Sequence, residues 1–225
     1  MDDDNIWDEN RWEAYLRERD KYAQHYMRLF FDFLALHPPP QSDDSIQRDQ
    51  WLALWARYLT LHGLRPDQFP ISFLFDDDHR EHHEVWLDAI RTAGVGEEGG
   101  IADLSIYTQT QQLALEVLAW SNTLSVDLKD STLVQFCNAL LLIPAQLAKG
   151  HQLGFDREQI GGNIACCKRA LKAANDALKL LGELRHADCM DPSHYMHVYE
   201  ATYEARNAVG LYIQQLRNRF NLGID

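Results

Sequence analysis

The stretch DDDHREHHE, residues 76–84, places three histidines and five carboxylates in nine positions. These are the side chains that hold divalent transition metals, neutral imidazole foremost. His79 and His83 stand four residues apart, which puts two imidazoles on one face of a helix. On a helical wheel, His79, His83, Trp86 and Ile90 fall within about 60° of one another, with His82 about 40° further round. Glu81, Glu84 and Asp88 lie on the opposite side. A metal held by His79 and His83, with His82 and Asp78 beside them, would therefore need ligands from a second helix. His62, Asp76 and Asp77, or the later His194, His197, Glu200 and Glu204, could supply them, and zinc, nickel, copper or iron would suit the imidazoles. A second reading needs no ion. Asp77 or Asp78 caps a helix start, the helix dipole favours acids there, and the histidines are partly buried packing residues. No HExxH or CxxC spacing occurs. On the second reading no cofactor is expected; on the first, a divalent transition metal.

The elements that would position these residues are helical throughout. Trp12, Tyr15, Arg19, Tyr22, Tyr26, Leu29, Phe33 and Leu36 recur at steps of three and four and predict a helix from about residue 8 to HPPP at 37–40. A second helix runs from the SDDS segment through Trp51, Trp55 and Leu59 to Gly63. A third follows the aspartates at 76–78 to about Thr92, and AGVGEEGG (93–100) reads as a linker. Four longer helices follow. Their stripes are Ile106, Thr110, Leu113, Val117, Trp120 and Leu124; then Leu133, Phe136, Leu140, Ile143 and Leu147, with Pro144 predicting a kink. Next come Ile160, Ile164, Cys167, Leu171, Ala174, Leu178 and Leu181 at heptad spacing. The last stripe is Val198, Thr202, Ala205, Val209, Leu216 and Phe220, in a helix opened by Asp191 as cap and Pro192 at its first position. The expected fold is all-α: an antiparallel four-helix bundle over 101–225, with about three acidic, aromatic-rich N-terminal helices in 1–95 packed on it or forming a small lobe.

In the last helix His197 and Glu204 share a face, with Glu200 about 60° away. Carboxylate-bridged di-iron bundles use Glu-x-x-His from paired helices. Here the order is reversed, His197-x-x-Glu200, with no second copy; Glu116 is the other acid on a helix flank. A solvated charged flank accounts for all of them.

Two short segments resemble motifs of helical enzyme families. DDHRE (77–81) is similar to the aspartate-rich segment of class I terpene synthases, and Asn175 and Glu183 of NDALKLLGE match the spacing of their second magnesium motif. The resemblance implies a magnesium–diphosphate site. The sequence departs from it at Lys179, which stands at the central serine position, where an ammonium works against the ion. The stripe Lys168, Lys172 and Lys179 could instead contact a diphosphate. The match covers about a dozen residues of a chain much shorter than those enzymes. RNAVGLY (206–212) resembles the Arg-x(4–6)-His signature of HEPN ribonucleases, but Leu211, Tyr212 and Ile213 occupy the places of the histidine, so the catalysis it implies has no imidazole.

The net charge of −13 is uneven: residues 1–100 carry 21 acids against 10 bases, and the remainder 13 against 11. Such a chain repels phosphate backbones and suits a basic protein partner, cations, or simply solubility. The apolar run 136–148 is too short to span a bilayer, and the acidic N-terminus is unlike a secretory signal. Cys137, Cys166, Cys167 and Cys189 form no metal or disulfide pattern and read as reduced packing residues. A cytoplasmic, non-enzymatic protein-interaction or self-associating module is expected, binding a protein partner or its own copies and neither nucleic acid nor membrane. The alternative is a metal-binding protein or metal-dependent enzyme. Metal content separates them. The capped-helix reading predicts a metal-free protein whose melting ignores chelator, whereas a stoichiometric transition metal and a Tm that falls on chelation would establish the histidine site.

Overall fold

A computed structural model describes residues 6–40, 45–66, 101–185, 187 and 189–222. They form six α-helices: α1 (Glu9–Leu36), α2 (Ser45–Leu61), α3 (Ser105–Thr123), α4 (Ser131–Leu153), α5 (Ile160–Leu184) and α6 (Pro192–Leu222). Single 3₁₀ turns at Ile101–Asp103 and Val126–Leu128 precede α3 and α4, and no strand occurs among the described residues. The protein is thus all-helical. The helix expected after residues 76–78, and the linker at 93–100, lie outside the described residues. The chain divides into two compact units, Met1–Tyr15 with Gly94–Asp225, and Leu16–Ala93.

In the smaller unit the aromatic spacing does what its period predicts. Leu29 and Phe33 of α1 are buried with Trp51, Trp55 and Leu59 of α2, and Phe33 lies 4.9 Å from Trp55 and 5.2 Å from Trp51, ring centre to ring centre. The Trp51 indole N–H donates to the His37 carbonyl at 2.9 Å, holding the chain where α1 ends before the prolines. Gly63 ends α2 as expected: its φ of 74° is left-handed, and the Leu64 amide donates back to the Leu59 carbonyl at 3.0 Å. Leu64 then joins the core, as the apolar residue after such a cap commonly does. The α1 stripe is narrower than its period suggests, since Tyr15, Tyr22 and Leu36 are exposed.

In the larger unit α4 packs against α3 and α5, and α6 against α5 and α3, around one core. Every α4 stripe residue is buried there, from Leu133 to Leu147. Asp130 caps α4 by accepting from the Leu133 amide at 2.8 Å. Asp191 caps α6, accepting from the amides of Ser193 and His194, with Pro192 at the first helical position. Pro144 lies inside α4 and is buried. At 23 residues α4 outruns the apolar run 136–148, because Ser131–Gln135 and Lys149–Leu153 continue it. Its mean hydropathy reaches 1.4, enough by length and composition to cross a membrane, and 44% of that stretch is buried in the fold.

The segment before and within the first turns of α1 docks on the start of α5. Trp7, Trp12 and Tyr15 meet edge to face, with ring centres 5.5–5.8 Å apart. They reach α5 because Gly161 and Gly162 lack side chains: a Cβ on Gly161 would strike the Trp7 carbonyl, and one on Gly162 would lie 2.9 Å from the Trp12 ring. Gly161→Ala is therefore expected to destabilise the protein by about 1–3 kcal/mol. Gly182, in the same helix, has nothing within 4 Å of its Cβ position. Gly182→Ala should stabilise by roughly 0.5–1 kcal/mol, through helix propensity alone. Urea midpoints compare the two, and a Gly161→Ala midpoint at or above that of the parent would contradict the docking.

Candidate interaction surface

A helix needs one apolar stripe to fold, and α4 has more than one. Between Asp130 and Lys149 the sequence carries no charged residue. The inward stripe takes Leu133, Phe136, Leu140, Ile143 and Leu147 into the core. Outward lie Val134, Asn138, Leu141 and Ala145, at steps of four, three and four, with Leu142 beside them; all five are exposed, Val134 by 52% and Leu142 by 49%. Along the α5 side of this face runs a groove of about 340 Å³, with Ala139 and Leu142 on one wall and Asp176, Lys179 and Leu180 on the other. The sequence signal for this surface was the missing charge, which hydrophobic periodicity alone does not register.

The basic groups of α5 and α6 are largely engaged within the chain. Asp8 caps α1, accepting from the amides of Asn10 and Arg11, and these bonds hold its carboxyl below the usual range. Arg217 donates to both oxygens of Glu9, at 3.0 and 2.7 Å, and Lys168 approaches the same carboxylate at 3.4 Å. Arg169 donates to Glu13 at 2.8 Å, and Lys172 pairs with Asp176 at 2.6 Å. Of the stripe Lys168, Lys172 and Lys179, two members thus face carboxylates, and Lys179 lines the α4–α5 groove. Asn175, from the segment similar to the second magnesium motif, accepts from Arg206, whose guanidinium also bonds the Asn207 amide oxygen. Of the places a HEPN histidine would take, Leu211 is exposed and Ile213 is in the core, while burial pushes the Tyr212 phenol up to about 12.

His79, His82, His83 and Asp78 lie outside the described residues. Asp76 and Asp77 lie there too, and the other residues proposed to complete the site make contacts of their own. His62 lies 4.6 Å from the Tyr58 ring in the smaller unit, and His194 packs 4.7 Å from Trp120. His197 meets Glu116 at 3.0 Å, with both side chains about half exposed (58% and 46%), and Glu200 and Glu204 face solvent: a solvated flank. Among the described residues no three His, Cys, Asp or Glu side chains converge as a metal requires. Cys137, Cys166, Cys167 and Cys189 are buried thiols, and burial pushes Cys167 up to about 12.

The sequence matches no protein-family model, and neither the curated proteins nor the solved structures contain a significant match to it.

The Glu9 cluster makes a measurable claim. Its hydrogen bonds from Arg217, and then the nearby charge of Lys168, hold the Glu9 carboxyl below its usual 4.5, against the opposing effect of burial. A carboxyl whose pKa is lower in the folded state contributes stability above the unfolded value, and loses it as pH falls through the folded one. Glu9→Gln should cost roughly 1 kcal/mol or less near neutrality. It should also flatten the loss of stability below pH 4.5, as read from urea midpoints between pH 3 and 7. Parallel curves for parent and variant would contradict the pairing.

Proposed function

We propose that this chain is a cytoplasmic, non-enzymatic helical module that acts by binding protein, another chain or its own copy. The reading carries with it the finer architecture expected from sequence: α3–α6 as an antiparallel four-helix bundle, with the N-terminal helices packed on it. The observation that carries it is the outward face of α4, largely apolar and without charge from residue 131 to 148, beside an open groove. Uncharged, partly apolar surface next to a concavity is where protein partners dock, because its dehydration costs little and returns hydrophobic free energy. The charge of −13 favours protein over nucleic acid. The N-terminal half, where Asp76, Asp77 and Asp78 stand, is acidic in sequence, and such a composition suits basic groups. The pairing of Glu9 with Arg217 and of Glu13 with Arg169 illustrates the kind of docking such acids support.

The test is the mass of the complexes that contain the full-length chain in fresh extract of its source cells. The expected outcome is a species heavier than the 26.0 kDa chain, which Leu141→Lys with Leu142→Lys returns to monomer size. If neutralising Asp76 to Asp78 as asparagines has that effect and the α4 change does not, binding belongs to the acidic half. A parent chain that already runs as a monomer in extract would remove the reading.

A further inference from the structure

We propose that the outward face of α4 is a self-recognition surface, on which the α4 helix of a second copy packs antiparallel about a two-fold axis. The inference rests on the interaction-module reading and names its partner.

Three features of the face point to a copy of itself. The first is charge. Two chains of net charge −13 repel, and charged residues close to a two-fold axis would face their own copies. The stretch between Asp130 and Lys149 is the longest uncharged run in the chain, and its exposed side can meet its own copy without that penalty.

The second feature is spacing. Val134, Asn138, Leu141 and Ala145 are symmetric about the point between Ala139 and Leu140. An antiparallel copy therefore sets Val134 over Ala145 and Asn138 over Leu141, twice. A branched side chain then faces a methyl group, the large-over-small arrangement that lets helices approach closely. The two Asn138 amides lie near the axis, and a polar residue in an apolar seam fixes register.

The third feature is the alternative occupant. A bilayer is the other apolar environment that α4's composition would suit. Crossing it would withdraw Phe136, Leu140, Ile143 and Leu147, each 1% exposed or less, from the core they share with three other helices. Lying on it would carry the chain's negative charge toward anionic headgroups. A second copy asks for neither.

The experiment is a register-specific cross-link in the full-length chain. Val134→Cys and Ala145→Cys are made separately, at exposed sites in a protein whose four native thiols are buried. The pairing predicts a disulfide between the two variants when they are mixed and oxidised. Neither alone should give one, because Val134 and its own copy would lie roughly 16 Å apart along the helices, beyond the reach of a disulfide. Sedimentation of the unmodified parent should show a concentration-dependent dimer, and Leu141→Lys should weaken it at least about tenfold, since truncating or charging a central contact has that effect. A monomer at every concentration overturns the proposal, as does a cross-link equally strong in a single variant. Flotation of the purified chain with vesicles of phosphatidylcholine and phosphatidylserine, in place of dimer formation, overturns it in favour of a membrane. A purified monomer that is nevertheless heavy in extract overturns self-recognition while leaving the interaction-module reading intact.

Discussion

Where α4 crosses α5, Gly150 lies so close to Asn163 that a Cβ on the glycine would sit 2.7 Å from the asparagine's side-chain oxygen and 3.2 Å from the Cβ of Cys166. The geometry of the larger unit depends on this approach. Asn163 is fully buried, and a buried amide is tolerable only with its hydrogen bonds made. Its nitrogen donates to the Gly154 carbonyl at 3.2 Å, just past the end of α4, and its oxygen accepts from the Cys167 thiol at 3.4 Å. A side chain at position 150 would force the helices apart and draw the Asn163 nitrogen from the Gly154 carbonyl that satisfies it. The same slimness continues along α5 through Ala165, Ala170, Ala173, Ala174 and Ala177, all buried. Close approach on both flanks dries the interior, which is why burial pushes the Cys167 thiol and the Tyr212 phenol to about 12.

Slimness at the start of α5 has a second consequence, through charge. Once Gly161 and Gly162 admit the indole rings of the N-terminal segment, Glu9 and Glu13 fall beside Lys168, Arg169 and Arg217. These ion pairs are partly exposed, and pairs of that kind contribute little stability each. Their effect lies in placement. They decide which end of the segment sits where, and they occupy basic groups that would otherwise present a positive stripe to phosphate. The apolar contact supplies the free energy, and the charges supply the orientation.

Much of this was readable from the sequence, for reasons that differ by element. The inward stripes of α3 to α6 follow a period that folding itself enforces, so Leu133 to Leu147 and Val198 to Leu216 could be placed from spacing alone. Caps were readable because Asp130, Asp191 and Gly63 act through their own neighbours in the chain. The docking of Trp7 and Trp12 was not readable, because its determinant is an absence, the missing side chains of Gly161 and Gly162 about 150 residues away. The His197–Glu116 contact joins helices 81 positions apart, and spacing within one helix says nothing about its partner. In α1 the period overstated the stripe because period reports which residues share a face, whereas burial also requires something opposite that face. Tyr22 and Leu36 share it and are exposed.

The same distinction gives α4 its interest. Folding constrains the residues that face the core and leaves the outward ones almost free, since an exposed position accepts lysine or glutamate at little cost in stability. Isolated exposed apolar residues are ordinary on protein surfaces and call for no explanation. An outward face without charge from residue 131 to 148, on a chain in which 24% of residues are charged, is a different matter. Val134 and Leu141 contribute little to the core they stand outside, so the fold does not account for their apolar character. A solvated surface does not account for it either, because water favours the polar substitutes. What remains is contact with something that excludes water from this face, and the spacing of the face matches its own reversed copy.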